Sequence, residues 1–321
     1  MKLCGICISE KRGTEKTEVS QAMLEESYGI RGDAHAGNWH RQVSLLSNEK
    51  IEAFRARGAD VAFGAFGENL IVQGVDLRTI AVGSRIHFDE VILELTQIGK
   101  ECHNHCAIYQ RMGDCIMPRE GVFAEVVRGG MLRVGETFRV EPPLADRAYQ
   151  AAVITLSDKG AAGEREDKSG AVLADCLEKA GYTVRERLLL PDGRQPLEKE
   201  LIRLADGRQM DVVFTTGGTG FSSRDLTPEA TIAVCERMTP GIAEALRAYS
   251  MSITDRAMFS RATSGIRGNT LIINLPGSPK AVQESMDYLL PRLSHGLDVL
   301  RGNARECARP MENQDESEND K

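Results

Sequence analysis

The 321-residue sequence lacks features that would place it in several broad classes. No apolar run approaches the roughly 20 residues that a membrane-spanning helix needs, so we expect no association with a membrane. The net charge is −7, which disfavours binding to nucleic acid, because such binding needs clustered lysine and arginine. The first residues, MKLCGICISE, hold one lysine and no apolar signal-peptide core. The expected location is the cytoplasm.

The sequence has eight cysteines, but a reducing compartment argues against a disulfide framework. Cys4 and Cys7 form a CxxC pair in the first predicted strand. Side chains three residues apart on a regular strand face opposite sides, which predicts no joint redox role. Cys176 and Cys235 fall within apolar helical patterns and are predicted to be small core residues.

The second half of the chain alternates strand and helix patterns. The short apolar runs AAVITLS, DVVFTT and NTLIINL are typical of buried parallel strands, and KSGAVLADCLEKAGY is typical of a helix with one apolar face. Two helices are predicted to start at Thr227-Pro228 and Thr239-Pro240, with threonine as the cap and proline in the first turn. This order predicts an α/β domain with a mainly parallel sheet and helices on both faces.

The first half has strand patterns separated by glycines, and only NEKIEAFRARG predicts a helix there, capped by Ser47 or Asn48. We therefore predict a mostly β, barrel-like domain over residues 1–143. Pro142 and Pro143 mark a linker, an α/β domain follows over residues 150–302, and residues 303–321 form an acidic, disordered tail.

Four predicted strand exits in the second half carry polar residues of similar kinds. Ligands of open α/β sheets bind beyond the carboxyl ends of the strands. The glycines of TTGGTG let backbone N–H groups approach a phosphate, although the turn is neither a Walker A loop nor a GxGxxG fingerprint. The candidate binding residues at these exits are Ser157, Asp158, Thr216, Gly217, Gly218, Thr219, Gly220, Gly277, Ser278 and Lys280. Ser278 is also placed to cap the last helix and to bind an anion at its N-terminus.

Asp192 and Asp225 also stand at these exits. A carboxylate beside a bound phosphate is repelled unless a cation lies between them, so the pair predicts a Mg²⁺ site for phosphoryl or nucleotidyl transfer. Spacing alone leaves an alternative open, in which Asp225 caps the helix that begins near Thr227 and Asp192 is a turn residue.

The stretches VITLSDKGAAGEREDKSG, LLLPDG, FTTGGTGFSSRDLTPEAT and NLPGSPKA, in this order over about residues 150 to 302, resemble the molybdopterin adenylyltransferase (MogA/MoaB-like) family. The resemblance implies a three-layer α/β fold, usually trimeric. It implies attack by the terminal phosphate of molybdopterin on the α-phosphorus of Mg-ATP, without pyridoxal phosphate. In this family Asp192 and Asp225 would be the essential catalytic and metal-binding residues. Ser157, the TTGGTG turn and the PGSPK turn would bind pterin and nucleotide.

The stretch ECHNHCAIYQRMGDC holds Cys102, Cys106 and Cys115 together with His103 and His105. It is too compact for a zinc finger, whose paired ligands are separated by a long loop. A thiol on this glycine-bounded loop would suit sulfur chemistry or metal ligation. The alternative is a buried cysteine beside histidines that face solvent.

That stretch, with YGIRGDAHAGNWHRQVSLLS and FGENLIVQGVDL, resembles the MOSC domain over about residues 1 to 141. The resemblance implies that a cysteine carries sulfur or contacts the molybdenum cofactor and its molybdenum ion. Cys102 is the best match by position, Cys115 the next and Cys106 the third. The GDAHAGNWH segment adds His35 and His40 on a glycine-rich loop.

Both halves therefore predict molybdenum cofactor biosynthesis. The leading hypothesis is an enzyme that adenylylates molybdopterin, with ATP, molybdopterin and Mg²⁺ as its ligands and a molybdenum insertase as a partner. It would be a homo-oligomer, a trimer by the resemblance. The alternatives are a non-catalytic cofactor or sulfur carrier, and a nucleotide hydrolase on the same fold, because a fold alone does not fix a reaction.

Overall fold

The computed structural model describes residues 1–101, 109 and 113–303. Cys102, Cys106, His103 and His105 lie outside the described residues, as does the predicted acidic tail beyond residue 303. In the described ranges no helix has the length and apolar character to span a bilayer.

The first half is mostly β. Its strands are β1 (Lys2–Ile8), β2 (Thr17–Val19), β3 (Gln21–Glu25), β4 (Gly29–Ile30), β5 (Val43–Ser47), β6 (Leu70–Gln73), β7 (Arg85–His87), β8 (Ile92–Ile98), β9 (Val122–Arg128), β10 (Gly130–Arg133) and β11 (Arg139–Glu141). Eight of them form one sheet in the order β11-β7-β8-β9-β5-β6-β1-β2, and β10-β3-β4 form a second. A longer helix, α1 (Asn48–Arg55), and a short one, α2 (Met117–Glu120), accompany them. Ser47 occupies the cap position of α1 without a capping hydrogen bond from its side chain.

The two cysteines of β1 correct an expectation from the sequence. The pairing of β1 with β6 shifts register between Leu3 and Gly5, at a β-bulge. As a result Cys4 and Cys7 pack against the same apolar cluster, so the predicted opposite facing is wrong. Burial raises the pKa of the Cys4 thiol and raises that of Cys7 to about 12, so neither forms a thiolate readily near neutral pH.

The second half is an α/β domain with helices on both faces of its sheet. Its strands are β12 (Gln150–Leu156), β13 (Thr183–Leu190), β14 (Val212–Thr216), β15 (Arg237–Met238), β16 (Ser264–Arg267) and β17 (Thr270–Leu275). Its helices are α3 (Asp158–Ala161), α4 (Lys168–Lys179), α5 (Arg194–Ile202), α6 (Thr227–Val234), α7 (Pro240–Met251) and α8 (Pro279–Arg301).

The sheet order is β13-β12-β14-β17-β16-β15. The first four strands are parallel, and β16 and β15 extend one edge in antiparallel pairs that the sequence patterns do not predict. Ala151 and Val153 of β12 pack into one apolar cluster, whereas Ala152 and Ile154 pack into another on the opposite face. This burial on both faces explains why the central strands are continuous apolar runs.

The threonines at the two Thr-Pro helix starts do not cap their helices as predicted. Proline does occupy the first turn of α6 and of α7, but no side chain caps either helix. Thr227 Oγ1 instead donates to the carbonyl of Gly217 at 2.9 Å, and Thr239 Oγ1 lies 3.0 Å from Ser264 Oγ. Tertiary partners therefore outcompete local capping at both positions.

Contacts from Arg208 and Gln209 connect the two halves. The Arg208 side chain forms an ion pair with Glu186 at 2.6 Å and also donates to the carbonyl of Thr96, in the β domain. Gln209 Oε1 accepts from the backbone N–H of Val82 at 2.9 Å. Arg208 is 5% exposed, so this contact lies within the protein rather than on its surface.

Candidate functional site

Loops that follow four parallel strands of the α/β domain meet around one cavity of about 670 Å³. Ser157 follows β12, Asp192 follows β13, Gly218 follows β14 and Gly277 follows β17. The lining residues are Thr155, Leu156, Ser157, Gly160, Arg165, Glu166, Asp167, Lys168, Ser169, Leu189, Asp192, Gly218, Asp225, Gly277 and Pro279. The cavity lies at the carboxyl ends of the strands, where open α/β sheets bind ligands.

The turn after β14 can be built only with glycine at two successive positions. Gly217 and Gly218 have φ angles of 102° and 63°, which side chains other than glycine rarely adopt. A Cβ on Gly217 would lie 2.5 Å from the carbonyl oxygen of Leu156, and a Cβ on Gly218 would lie 2.4 Å from Thr227 Oγ1. This close approach holds the turn against the exit of β12 and the start of α6.

Backbone donors are available along this turn. Gly217 N–H is used by the carbonyl of Leu275, at 3.3 Å. The N–H groups of Gly218, Thr219 and Gly220 have no acceptor among the residues that the structure describes. Consecutive free N–H donors at a glycine turn are suited to binding an anion.

The two candidate catalytic carboxylates line the same cavity. Asp225 Oδ2 accepts from the backbone N–H of Ser222 at 2.9 Å, inside its own loop, so Asp225 does not cap α6. Asp192 and Asp158 exchange hydrogen bonds: Asp192 N–H donates to Asp158 Oδ1 at 2.9 Å, and Asp158 N–H donates to Asp192 Oδ2 at 3.3 Å. Within the described residues neither Asp192 nor Asp225 forms an ion pair.

Arg261, in the segment before β16, fixes the loop that carries Asp225. Its Nε donates to the carbonyl of Gly220 at 2.7 Å, and its NH2 group donates to the carbonyl of Asp225. The guanidinium also pairs with Glu229 of α6, which lowers the pKa of that carboxyl. One side chain thus ties both ends of the 220–225 loop to a helix.

The structure separates the predicted binding residues into two groups. Ser157, Gly218 and Gly277 line the cavity with the two aspartates. Asp158 is not in the lining and pairs with Arg224 at 2.7 Å. The residues that support the loops or lie outside the lining are Thr216, Gly217, Thr219, Gly220, Ser278 and Lys280. Ser278 caps α8, as predicted, by accepting from Ala281 N–H at 3.2 Å, whereas the Lys280 side chain is 85% exposed and lies 3.8 Å from Glu284.

Sequence reasoning missed the cavity residues that come from the start of α4. Asp167 caps this helix by accepting from Gly170 N–H at 2.8 Å, and it also accepts from Thr155 Oγ1 at 2.9 Å. Arg165, Lys168 and Ser169, on either side of this cap, line the cavity. The pattern Asp-x-x-Gly before the apolar helical face was the available signal.

The donor set suits a divalent ion that is shared with a phosphate. No group of three or more His, Cys, Asp or Glu side chains in the described ranges is arranged to hold a metal. Mg²⁺, however, typically takes one or two protein carboxylates and completes its shell with water and substrate phosphates. Asp192 and Asp225, each with an oxygen that has no protein partner in the described part of the chain, fit that requirement.

The candidate residues of the β domain have buried surroundings. Cys115 is 6% exposed and packs in an apolar cluster with Phe54 and Met117. His40 Nε2 lies 2.9 Å from Gln97 Oε1, and burial together with Arg208 lowers the pKa of His40 to about 4. Cys102, the best candidate by position, lies outside the described residues.

Comparisons with known proteins agree with the two-part layout. A family model described as a probable molybdopterin binding domain matches residues 152–295, and a MOSC domain model matches residues 32–139. The molybdopterin adenylyltransferase of Helicobacter pylori is 40% identical over 153 residues, which cover 47% of this chain and 87% of that protein. The molybdopterin adenylyltransferase of Escherichia coli is 38% identical over 137 residues, covering 42% of this chain and 70% of that protein.

A relative whose name describes it as bifunctional also matches. The molybdenum cofactor biosynthesis bifunctional protein of Chlorobaculum tepidum is 34% identical over 154 residues, covering 48% of this chain and 49% of that protein. Among solved structures, the molybdopterin biosynthesis enzyme MoaB of Thermus thermophilus is 40% identical with a TM-score of 0.46, covering 48% of this chain and 97% of that one.

These similarities place the second half in the class of α/β domains described as probable molybdopterin binding domains, and its cavity lies at the strand exits. The chain belongs to the molybdopterin adenylyltransferase family through this half, and its first half carries a MOSC domain. The exact domain boundaries stay predictions.

Proposed function

We propose that the second half transfers AMP from Mg-ATP to molybdopterin, giving adenylyl-molybdopterin and pyrophosphate, and that the MOSC half binds the cofactor or carries sulfur on it. Membership in the adenylyltransferase family supports the reaction class. One observation carries the assignment to residues: a turn with three free N–H donors adjoins a cavity whose lining includes Asp192 and Asp225, and neither of these forms an ion pair in the described part of the chain.

The donors and cations of the cavity would bind the phosphate groups. Gly218, Thr219 and Gly220 would donate backbone N–H groups to phosphate oxygens, because these donors cost no reorganisation when charge builds up. Arg165 and Lys168 would add positive charge from the start of α4. The main task of a protein in such a transfer is to position the attacking and leaving oxygens in line.

Asp192 and Asp225 would hold Mg²⁺, which when bound screens the negative charge of the phosphates. The hydrogen bonds between Asp192 and Asp158, and that from Ser222 to Asp225, would fix the two carboxylates before the ion arrives. Arg224 forms an ion pair with Asp158, so the charge of the Asp158 carboxylate is already neutralised.

The test is pyrophosphate release by purified protein supplied with molybdopterin, ATP and magnesium. Asp225→Asn keeps the shape of the side chain but removes its charge, so we expect a loss of about 100-fold or more in the rate. Asp175→Asn is the matched control, because Asp175 pairs with Lys179 on the exposed side of α4. Equal rates for wild type and Asp225→Asn would rule out the catalytic assignment. Copurification of pterin with no ATP-dependent step would favour the non-catalytic carrier instead.

We further propose a cytoplasmic homo-oligomer, a trimer, that passes its product to a molybdenum insertase. Large apolar side chains are exposed in the loop that carries Asp225 and in the segment before β16, with Phe221 70%, Met258 60% and Phe259 51% exposed. Phe221 and Phe259 contact each other edge to face at 5.5 Å between ring centroids. Exposed apolar patches of this kind mark protein interfaces. Light scattering on Phe221→Ser should show a smaller species than wild type, and an unchanged mass would contradict this interface.

A further inference from the structure

A second cavity, of about 270 Å³, lies between the two halves of the chain. Its walls come from the β domain, from the linker at Pro142 and Pro143, and from the α/β domain. Leu95 of the β domain and Met210 of the α/β domain, both almost fully buried, give it apolar surface from the two halves. Cavities at the junction of two domains are frequent ligand sites.

One carboxylate in this cavity has no protein partner. Glu125 of β9 is the direct cross-strand neighbour of Glu94 of β8, an arrangement in which like charges repel. Glu94 is compensated, because it pairs with Arg85 at 3.2 Å and with Arg185 at 3.5 Å. Glu125 is half-buried and forms neither a hydrogen bond nor an ion pair with any residue that the structure describes. Burial raises the pKa of its carboxyl, and Arg185 and Arg208 oppose that rise.

Arg208 brings a donor to the same cavity from the other half of the chain. Its side chain is 4% exposed, with Nε 2.6 Å from Glu186 and Nη1 donating to the carbonyl of Thr96. Its third nitrogen, Nη2, donates to no acceptor in the described ranges. Arg208 and Glu125 influence each other electrostatically but form no ion pair there, so a free donor and a free acceptor line one cavity without meeting.

The charge of the lining decides which kind of ligand would satisfy both groups. Four arginines and three glutamates line the cavity, so its formal charge is already slightly positive. An organic cation beside Glu125 would add to that excess, and a phosphate would leave the Glu125 carboxylate without a donor. A neutral ligand with two neighbouring N–H donors and a carbonyl oxygen pairs with Glu125 and Arg208 and leaves the charge unchanged.

We propose that Glu125 and Arg208 bind the 2-amino-4-oxopyrimidine edge of a pterin or of a guanine. The amino group and the ring N–H of that edge would donate to the Glu125 carboxylate, and its carbonyl oxygen would accept from Nη2 of Arg208. The cavity volume lies near the lower end of the roughly 300–1,000 Å³ of small-molecule sites, which suits a single ring system. Preference for a pterin over a guanine rests on the proposed function, whereas the edge and the cavity do not.

The test is equilibrium dialysis of the full-length protein and of Glu125→Gln with pterin, guanosine and adenosine. The amide keeps the shape of the side chain but turns an N–H group towards the ligand donors, so pterin and guanosine should bind about tenfold or more weakly to Glu125→Gln. Adenosine lacks this edge, and its binding should not change. A tighter complex with pterin identifies a pterin site, and a tighter one with guanosine identifies a guanine site. Equal affinities of wild type and Glu125→Gln for pterin and guanosine would overturn the proposal, as would an equal loss for adenosine.

Two further variants separate this site from the cavity at the strand exits. Glu141→Gln is the matched control, because Glu141 lines the same cavity but is 45% exposed and pairs with Arg139 at 3.5 Å. Glu125→Gln should leave pyrophosphate release at saturating substrate unchanged, and Asp225→Asn should lose release but keep the binding that depends on Glu125. The two proposals therefore fail separately. Because Glu125→Gln removes the repulsion from Glu94, its unfolding temperature should not fall below that of wild type, which excludes misfolding as the cause of weaker binding.

Discussion

Gly218→Ala tests whether the turn after β14 depends on the close approach of its backbone to α6. Alanine at a φ of 63° costs about 1–2 kcal/mol from the left-handed backbone alone. The new Cβ would also lie 2.4 Å from Thr227 Oγ1, which is hydrogen bonded to the carbonyl of Gly217 at 2.9 Å. Thr227 is 2% exposed, so its hydroxyl cannot turn to solvent when it is displaced. Losing that bond adds about 1 kcal/mol, for a total destabilisation of about 2–3 kcal/mol.

The measurement is the calorimetric unfolding temperature, with pyrophosphate release as a second assay. For a domain of this size each 1 kcal/mol lowers the unfolding temperature by about 2–4 °C, so Gly218→Ala should lower it by about 8 °C. Gly163→Ala is the matched control, since Gly163 has a φ of 75° but nothing within 4 Å of an added Cβ. We expect about 5 °C for the control, which has the backbone cost alone, with pyrophosphate release unchanged, and a loss of release in Gly218→Ala.

A double-mutant cycle separates the clash from the backbone strain. Thr227→Ala removes the Oγ1 that the new Cβ would meet and leaves the Thr227 Cβ at 3.4 Å, an ordinary contact. In the Gly218→Ala background this second change should therefore cost about 1 kcal/mol less than it does in wild type. If the two changes are additive within experimental error, the proposed contact does not constrain the turn.

Two further predictions concern Arg261, which contacts the loop that carries Asp225, and His40, which is largely buried in the β domain. Arg261→Lys cannot reach Gly220, Asp225 and Glu229 together, because an ammonium lacks the planar fork of a guanidinium, so we expect pyrophosphate release to fall about tenfold at saturating substrate. Arg267→Lys is the control, because Arg267 pairs with Asp206 and neither residue lines the cavity. Equal rates for wild type and Arg261→Lys would show that Arg261 does not position the loop. His40 has a folded-state pKa of about 4, below the ordinary value of about 6.5, so the unfolded chain binds more protons between these values and stability rises with pH in that window. His40→Gln should weaken the dependence of the unfolding free energy on pH, whose limiting slope is about 1.4 kcal/mol per pH unit. Urea unfolding at several pH values measures this free energy, and an unchanged pH dependence in His40→Gln would contradict the assignment.

The sequence predicts the central strands of the α/β domain well because their signal is local. Each is a run of apolar residues, and burial on both faces requires such a run. The edge strands Arg237–Met238 and Ser264–Arg267 carry no such signal, since they are two and four residues long and are defined by pairing with a neighbour. The same reason explains the β-bulge near Cys4: it depends on the register against β6, which periodicity within one strand cannot reveal.

The predicted helix caps form only where no tertiary partner competes for the hydroxyl of the capping residue. Ser278 caps α8 as its position before proline predicts, because no tertiary partner competes for its hydroxyl within the described residues. Thr227 and Thr239 stand in equivalent sequence contexts, yet their hydroxyls bond to Gly217 and Ser264, residues brought near only by the folded sheet. Propensity therefore yields to tertiary contacts at these two positions.

The same distinction governs the candidate site. Asp192 and the glycine turn follow predicted strands directly, and Asp225 lies in the loop that continues from that turn, so the topology rule brings them to one edge of the sheet. Arg261 comes from the segment before the unpredicted edge strand, and it contacts Asp225 across 36 positions of sequence. Without that strand, nothing in the sequence places Arg261 near the cavity. A residue that positions a loop is therefore harder to predict than a residue that binds the ligand, because its location depends on a pairing and not on a pattern.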